Sequence, residues 1–222
     1  MVVVFDLDDT LYDEIDFVHS GFWAVAEFLA PDKPEPLKDR MWHIFESEGS
    51  GHVFNKLLLE TKSDAKIDKL VEIYRFHHPH ITLSENTIQL LELIHAMYPT
   101  ALITDGHYLM QKNKFNVMGL ERYIDYPVFT DQHSTRKPEE KPYRLVMERF
   151  LSETKFVYIS DNPKKDFIAP RKLEWKTIRY KNPRGIYKAL ANNAHKEVTD
   201  LSHITMLINK FSAHNGFTFF PK

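Results

Sequence analysis

Hydrophobic positions change period along this chain. Val2-Val3-Val4-Phe5 and Leu7 form a short β-branched-rich run with no polar position before Asp6, which predicts a central parallel strand over residues 2–7, buried on both faces. From about Asp13 to His80 the spacing becomes helical. Phe17, Phe22, Trp23, Val25, Ala26 and Leu29 recur at three- and four-residue intervals until Pro31, Pro34 and Pro36 end the stripe. A second helix is expected over 37–48. After the break at Gly49-Ser50-Gly51, apolar stripes over 53–59 and 67–76 predict two more, the last running into His77-His78-Pro79-His80.

From Ile81 onward, short apolar runs alternate with helical stretches. Helices are expected over 85–97, 109–118, 142–150 and 164–173, the last interrupted or ended around Pro170, and strands over 100–104, 126–130, 155–160 and 176–180. This alternation predicts an α/β fold, a doubly wound parallel sheet of Rossmann-like type with ligands bound beyond the carboxyl ends of the strands. The core is expected over 1–14 and 81–222, with a small α-helical domain inserted over 15–80. Residues 201–211 read as helix or strand, and the aromatic tail Phe217–Phe220 has no assignment.

Composition narrows the chemistry. With 222 residues, 43% hydrophobic and 27% charged, the chain can build one full core and a smaller satellite, and it is too apolar for disorder. Twenty-nine Lys and Arg against 31 Asp and Glu leave a formal charge of −2, which offers no general attraction to nucleic acid or to an anionic membrane. Any anion must be captured by local groups. Zero cysteines exclude thiol nucleophiles, disulfides and thiolate metal sites, so ligands must come from His, Asp and Glu, and hard cations are favoured. Asp6 interrupts the apolar N-terminus before a secretory or spanning segment can form, and a soluble cytoplasmic protein is expected. Nothing in the pattern assigns an oligomeric state.

Asp6 and Asp8 stand two residues apart where the first strand runs out, so strand geometry turns both carboxylates to one side. That pair suits Mg²⁺, which is commonly held by one or two carboxylates together with substrate phosphate. A polar turn, with Asp9 or Thr10 as a helix N-cap, is the competing reading. Three later positions weigh against it. Thr104-Asp105-Gly106 follows Ala101-Leu102-Ile103 and provides a hydroxyl and backbone N–H groups for a phosphate oxygen. Asp161, with Asp166 beyond it, follows the run Phe156–Ser160, and Lys137-Pro138 lies in a polar loop ahead of a helix. Singly, each is equally a turn, a cap or a solvated lysine. Their order, at or beside the ends of strands, points to a phosphate site.

Taken together these motifs resemble the haloacid dehalogenase superfamily, whose phosphatase members open with Asp-x-Asp-x-Thr after the first strand, here Asp6-Leu7-Asp8-Asp9-Thr10. Thr104 in ALITDG, Lys137 in RKPEEKPY, and Asp161 with Asp166 in ISDNPKKDF match the later motifs, so the resemblance spans about residues 1–180. The insert resembles the helical cap of the family's first structural subclass. Ser160, Glu174 and Ser134 stand where the family usually has glycine. Lys141 is also followed by proline. Lys137 is preferred because Tyr143 then falls six residues later, where an aromatic is usual.

The resemblance implies that Asp6 is the nucleophile, forming an aspartyl-phosphate, and that Asp8 is the general acid and base. Thr104, Asp105, Gly106 and Lys137 would bind the phosphate. Asp6, the Asp8 backbone carbonyl and Asp161 would hold Mg²⁺, with Asp166 in support. Asp8 favours phosphate esters over organic halides, because expelling a halide needs no proton donor. The expected reaction is Mg²⁺-dependent hydrolysis of a small phosphorylated metabolite, a sugar phosphate or nucleoside monophosphate, with no nucleic acid or membrane partner. A sugar phosphomutase or a non-catalytic ligand-binding module of the same fold are the alternatives. The cap is expected to close over the site and read the leaving group. Within it, Phe17, Phe22 and Trp23 read as core or pocket, Lys56 as a site or solvent group, and His77, His78 and His80 as a hinge, since Pro79 breaks metal-ligand spacing.

Overall fold

The N-terminal apolar run is the centre of a parallel sheet in the computed structural model, which describes residues 1–213. Strand β1, Val2–Phe5, is buried at every position and is flanked by β2, Thr100–Thr104, and β4, Phe156–Ser160. With β3 (Tyr126–Phe129), β5 (Lys176–Tyr180) and β6 (Lys196–Val198), the order is β3-β2-β1-β4-β5-β6, and every pairing is parallel. The chain first winds from β1 out to β3, then returns to the other side of β1 as β4. The order therefore reverses between β1 and β4, and the crevice outside their carboxyl ends is where such sheets bind ligands.

Residues of β1 alternate between the faces. Val2 and Val4 join Ala101, Ile103, Val128, Phe156 and Tyr158 in a core closed by Tyr143, Phe167 and Trp175, as the two-residue period of a strand requires. Phe156 and Trp175 stack at 4.7 Å between ring centroids. The intervening helices are α5 (Glu85–His95), α6 (Tyr108–Val117), α7 (Lys141–Arg149) and α8 (Ile168–Lys172), and α9 (Ser202–Ala213) closes the described chain. Pro127 sits within β3, which is tolerated because β3 is an edge strand.

Two expectations change and one alternative is resolved. The helix expected over 164–173 is only the five residues of α8. Ahead of it the Asn162 side chain accepts from the Lys164 N–H at 3.0 Å and the Asn162 carbonyl from the Asp166 N–H at 3.2 Å, so residues 163–167 form turns instead. Strand β6 was not expected, and residues 201–211, read as helix or strand, are helix. The tail Phe217–Phe220 lies outside the described residues.

Residues Glu14–Ile81 form a second compact unit, separate from the one built by Met1–Asp13 and the chain from Thr82 onward. It contains α1 (Glu14–Leu29), α2 (Glu35–Glu48), α3 (Val53–Thr61) and α4 (Ile67–Phe76). Val18, Phe22, Val25 and Ala26 of α1 pack with Met41, Ile44, Val53, Leu57 and Leu70, so Phe22 is core. Gly21 is buried mid-helix because a Cβ there would lie 2.5 Å from the Tyr74 ring. Among the described residues, no helix is long and apolar enough to cross a membrane.

Candidate active site

At the carboxyl end of β1 the Asp6 N–H still donates to the Ile159 carbonyl of β4, at 2.9 Å. This extends the ladder by one bond and fixes the Asp6 side chain at the reversal point of the sheet. The chain then turns sharply. Thr10 and Leu11 donate back to the Leu7 carbonyl, and Asp9 adopts a left-handed φ of 54°. Asp is among the few side chains that tolerate this conformation. Thr10 caps no helix: its hydroxyl accepts the Asp161 N–H at 3.1 Å and so ties the turn after β1 to the turn after β4.

The nearest partner of Asp6 is Lys137, whose Nζ lies 2.7 Å from Asp6 Oδ1 and 3.2 Å from Asp166 Oδ1. Tyr158 OH and Asp166 Oδ2 each lie 3.3 Å from the same ammonium. Lys137 is almost fully buried and its pKa is held well above the ordinary lysine value, since Asp166 and Asp6 outweigh the cost of burial. Lys141 is elsewhere: it is exposed and donates to the His133 carbonyl. Ser160 donates to Asp166 and, at 3.3 Å, to Asp6 Oδ2.

Asp6, Asp161 and Asp166 are all buried, each with a carboxylate oxygen within 4.8 Å of the others. Burial, reinforced by the neighbouring carboxylates, pushes Asp6 up to about 8 despite Lys137, and Asp161 up to about 9. Asp161 Oδ2 is buried without a hydrogen-bond partner among the described residues. A buried carboxylate oxygen without a donor, beside two like charges, fits an oxygen-liganded divalent cation, which would restore the ionised forms.

Thr104 ends β2 with its hydroxyl accepting from Gln111 Nε2 at 2.8 Å. Gly106 has φ +122°, and a Cβ there would sit 3.3 Å from the Gln111 side chain, so this turn needs glycine. The Asp105 carboxylate is occupied: Thr130 Oγ1 donates at 2.9 Å, the Lys137 N–H at 3.1 Å, and Lys165 pairs with the other oxygen. It braces the lysine loop, so only the backbone at this position is available to a phosphate.

Asp8 faces a different set of donors. Its Oδ1 accepts from Tyr12 OH at 2.6 Å and Lys114 Nζ at 2.7 Å, and its Oδ2 from Gln111 Nε2 at 2.7 Å. Burial alone would raise its pKa, but Lys114 and these hydrogen bonds outweigh it and hold Asp8 below the usual carboxylate range.

Sequence reading passed over Gln111, Lys114 and Tyr12. The hydrophobic pattern carries no signal for Gln111 and Lys114, since α6 buries them while Leu109 is 54% exposed. It also passed over Arg179, a strand residue 1% exposed whose Nε donates to the Asp161 carbonyl at 3.2 Å. Within the helical unit, Trp23 lines a cavity of about 600 Å³ with Asp16, His19, Ser20, Lys38 and His80. Lys56 pairs with Glu48, and His77 bonds Ser20 Oγ and the Tyr74 carbonyl.

A sequence model of haloacid dehalogenase-like hydrolases matches residues 3–180. The chain belongs to this family. It is 24% identical to a glyceraldehyde 3-phosphate phosphatase of Methanocaldococcus jannaschii, over 89% of this chain and 91% of the relative. A glyceraldehyde 3-phosphate phosphatase of Pyrococcus furiosus is 21% identical, over 97% of this chain and 94% of its own. The fold is shared with a HAD-hydrolase of Bacillus subtilis solved with magnesium bound, at TM-score 0.69 and 17% identity, covering 94% of this chain and 98% of that one. This HAD-like hydrolase thus carries the two-carboxylate segment at the sheet position where the fold binds ligands.

Proposed function

We propose that this hydrolase is a Mg²⁺-dependent phosphatase of small phosphorylated carbohydrates, working through an aspartyl-phosphate on Asp6. The observation that carries the reading is the pair Asp6 and Asp8, two residues apart yet held by separate donors, Lys137 for one and Lys114 with Gln111 and Tyr12 for the other. An ester needs both: a nucleophile for phosphorus and a second carboxylate to give the leaving oxygen its proton. The two phosphatase relatives support the substrate class.

In the first step an Asp6 oxygen bonds to phosphorus, the phosphorus–oxygen ester bond breaks, and Asp8 protonates the departing alcohol. In the second, water attacks the acyl phosphate while Asp8 takes its proton, releasing phosphate and free Asp6. Lys137, Thr104 and the backbone N–H groups at Asp105 and Gly106 hold the phosphoryl oxygens where charge accumulates. Asp6 and Asp161, with the Asp8 carbonyl, would hold Mg²⁺, which when bound offsets the repulsion between the nucleophile and the phosphate. Asp166 orients Lys137. The helical unit is assigned the choice of leaving group.

The test is phosphate release from p-nitrophenyl phosphate, glyceraldehyde 3-phosphate, hexose phosphates and nucleoside monophosphates, with and without Mg²⁺, beside Asp6→Asn. Metal-dependent release, abolished by the substitution, is expected, with a phosphorylated carbohydrate preferred. Conversion of a sugar phosphate without phosphate release would replace this reading with a mutase. Tight binding with no turnover of any compound would replace it with a binding module.

A further inference from the structure

Helix α6 buries two polar side chains beside Phe115: Leu109 is turned out while Gln111 and Lys114 are 1% exposed. A lysine this deep costs several kcal/mol unless a counter-charge meets it, and the counter-charge is Asp8, at 2.7 Å. Gln111 lies three residues earlier on the same helix face. Its Nε2 reaches Asp8 Oδ2 at 2.7 Å and also Thr104 Oγ1 and the Asp105 carbonyl, so one amide joins the first carboxylate segment to the phosphate turn. Tyr12 OH adds a third donor at 2.6 Å.

An ionised carboxylate offers about four acceptor positions. Lys114 and Tyr12 take two on Oδ1 and Gln111 takes one on Oδ2. Among the described residues this leaves a single acceptor position, on Oδ2, and the side chain keeps 21% exposure. The three donors fix both torsions of Asp8 and select the oxygen that can exchange a proton.

We propose that Lys114, assisted by Gln111 and Tyr12, is a positioning residue that holds Asp8 with one Oδ2 position open to accept the proton of the hydrolytic water. This rests on the phosphatase reading and assigns the residues that govern its second step. Water loses a proton to Asp8 Oδ2 as its oxygen bonds to phosphorus, and the acyl oxygen returns to Asp6 as carboxylate. Removing Lys114 leaves Asp6 and Lys137 in place, so attack on an activated ester survives while hydrolysis of the phosphoenzyme slows.

The experiment uses rapid mixing of the full chain with Mg²⁺ and p-nitrophenyl phosphate, whose leaving group departs without a proton donor. The rate of the p-nitrophenolate burst gives Asp6 phosphorylation, and decay of the trapped phosphoenzyme after a chase gives the second step. Lys114→Met is expected to slow decay at least tenfold while the burst rate stays within threefold of wild type, and Lys114→Arg to recover part of the decay rate. Tyr12→Phe, which removes one hydroxyl and no charge, is expected to slow decay about threefold to fivefold, and it decides the question if Lys114→Met fails to fold. Lys112→Met, exposed on the same helix, serves as the control and is expected to match wild type. Unchanged decay in a folded variant, or equal slowing of both steps, overturns the assignment. Absence of a phosphoenzyme in wild type would instead remove the phosphatase mechanism itself, and is seen before any variant is made.

Discussion

Arg179→Met puts a number on the link between the sheet and the site. The guanidinium is almost fully buried and uses all three nitrogens: Nε to the Asp161 carbonyl at 3.2 Å, Nη1 to the Leu190 carbonyl at 2.7 Å and Glu197 Oε2 at 2.9 Å, and Nη2 to the Tyr187 carbonyl at 2.7 Å. Methionine fills much of the space but donates nothing. The Asp161 carbonyl loses its partner in a dry environment, at about 1–3 kcal/mol. The carbonyls of Leu190 and Tyr187 lie in a partly exposed turn that water can reach, so together they cost about 1 kcal/mol. Glu197, 29% exposed, recovers solvent and adds about 1 kcal/mol. The sum, about 3–5 kcal/mol, agrees with the penalty for removing one member of a buried ion pair. For a domain of this size it lowers Tm by about 6–20 °C. Calorimetry with and without Mg²⁺ measures the shift, and Arg179→Lys, which keeps the charge but cannot reach three carbonyls at once, should fall between the two. A drop below about 2 °C for the methionine variant would refute the reasoning, because the carbonyls would then have other donors.

Without a cation, Asp6 at about 8 and Asp161 at about 9 both hold protons at pH 7. Mg²⁺ binding at pH 7 is therefore expected to release protons, and its affinity to rise with pH up to about 9. Titration calorimetry in buffers of different ionisation heat reads the release directly, and heats independent of buffer would contradict it. The sign for stability is opposite: the metal-free folded state keeps protons that the unfolded chain has lost, so its stability should fall as pH rises from about 4 towards 9. Gly106→Ala, at φ +122° and 3.3 Å from Gln111, is expected to cost about 1–3 kcal/mol in urea unfolding and to weaken phosphate ester turnover. An unchanged midpoint would show that the turn relaxes freely.

Legibility followed the physics of each element. Strands β1, β2 and β4 are built on compact apolar runs, because a parallel strand covered on both faces must be apolar at nearly every position, whereas β5 sets Thr177 and Arg179 around Ile178. Strand β6 is an edge with one buried residue, Val198, and its Lys196-Glu197 reads as loop. The extent of α8 was misjudged because periodicity carries no information about the Asn162 turn that delays it. At the site, Asp6, Asp8, Thr104, Lys137 and Asp161 could be singled out by their order beside strand ends, and given roles only through the family resemblance. Lys114, Gln111 and Arg179 could not, because their function is to be buried polar groups, and a hydrophobic pattern counts such positions as solvent-facing.

Two carboxylates two residues apart end in opposite settings: Asp6 is pushed up by burial and neighbouring acids, while Asp8 is held down by Lys114, Tyr12 and Gln111. Divergent environments are how a pair of like groups acquires different roles. The divergence here is inverted for the first step, which needs an ionised Asp6 and a protonated Asp8. Both inversions have a remedy in the ligands the proposed reaction supplies. A divalent cation between Asp6 and Asp161 favours their ionised forms, and a phosphate dianion beside Asp8 adds negative charge that favours its protonated form. In the proposed mechanism the unliganded site therefore has Asp8 in the form the second step needs, ready to accept a proton, and metal and substrate together would convert it to the form needed for the first.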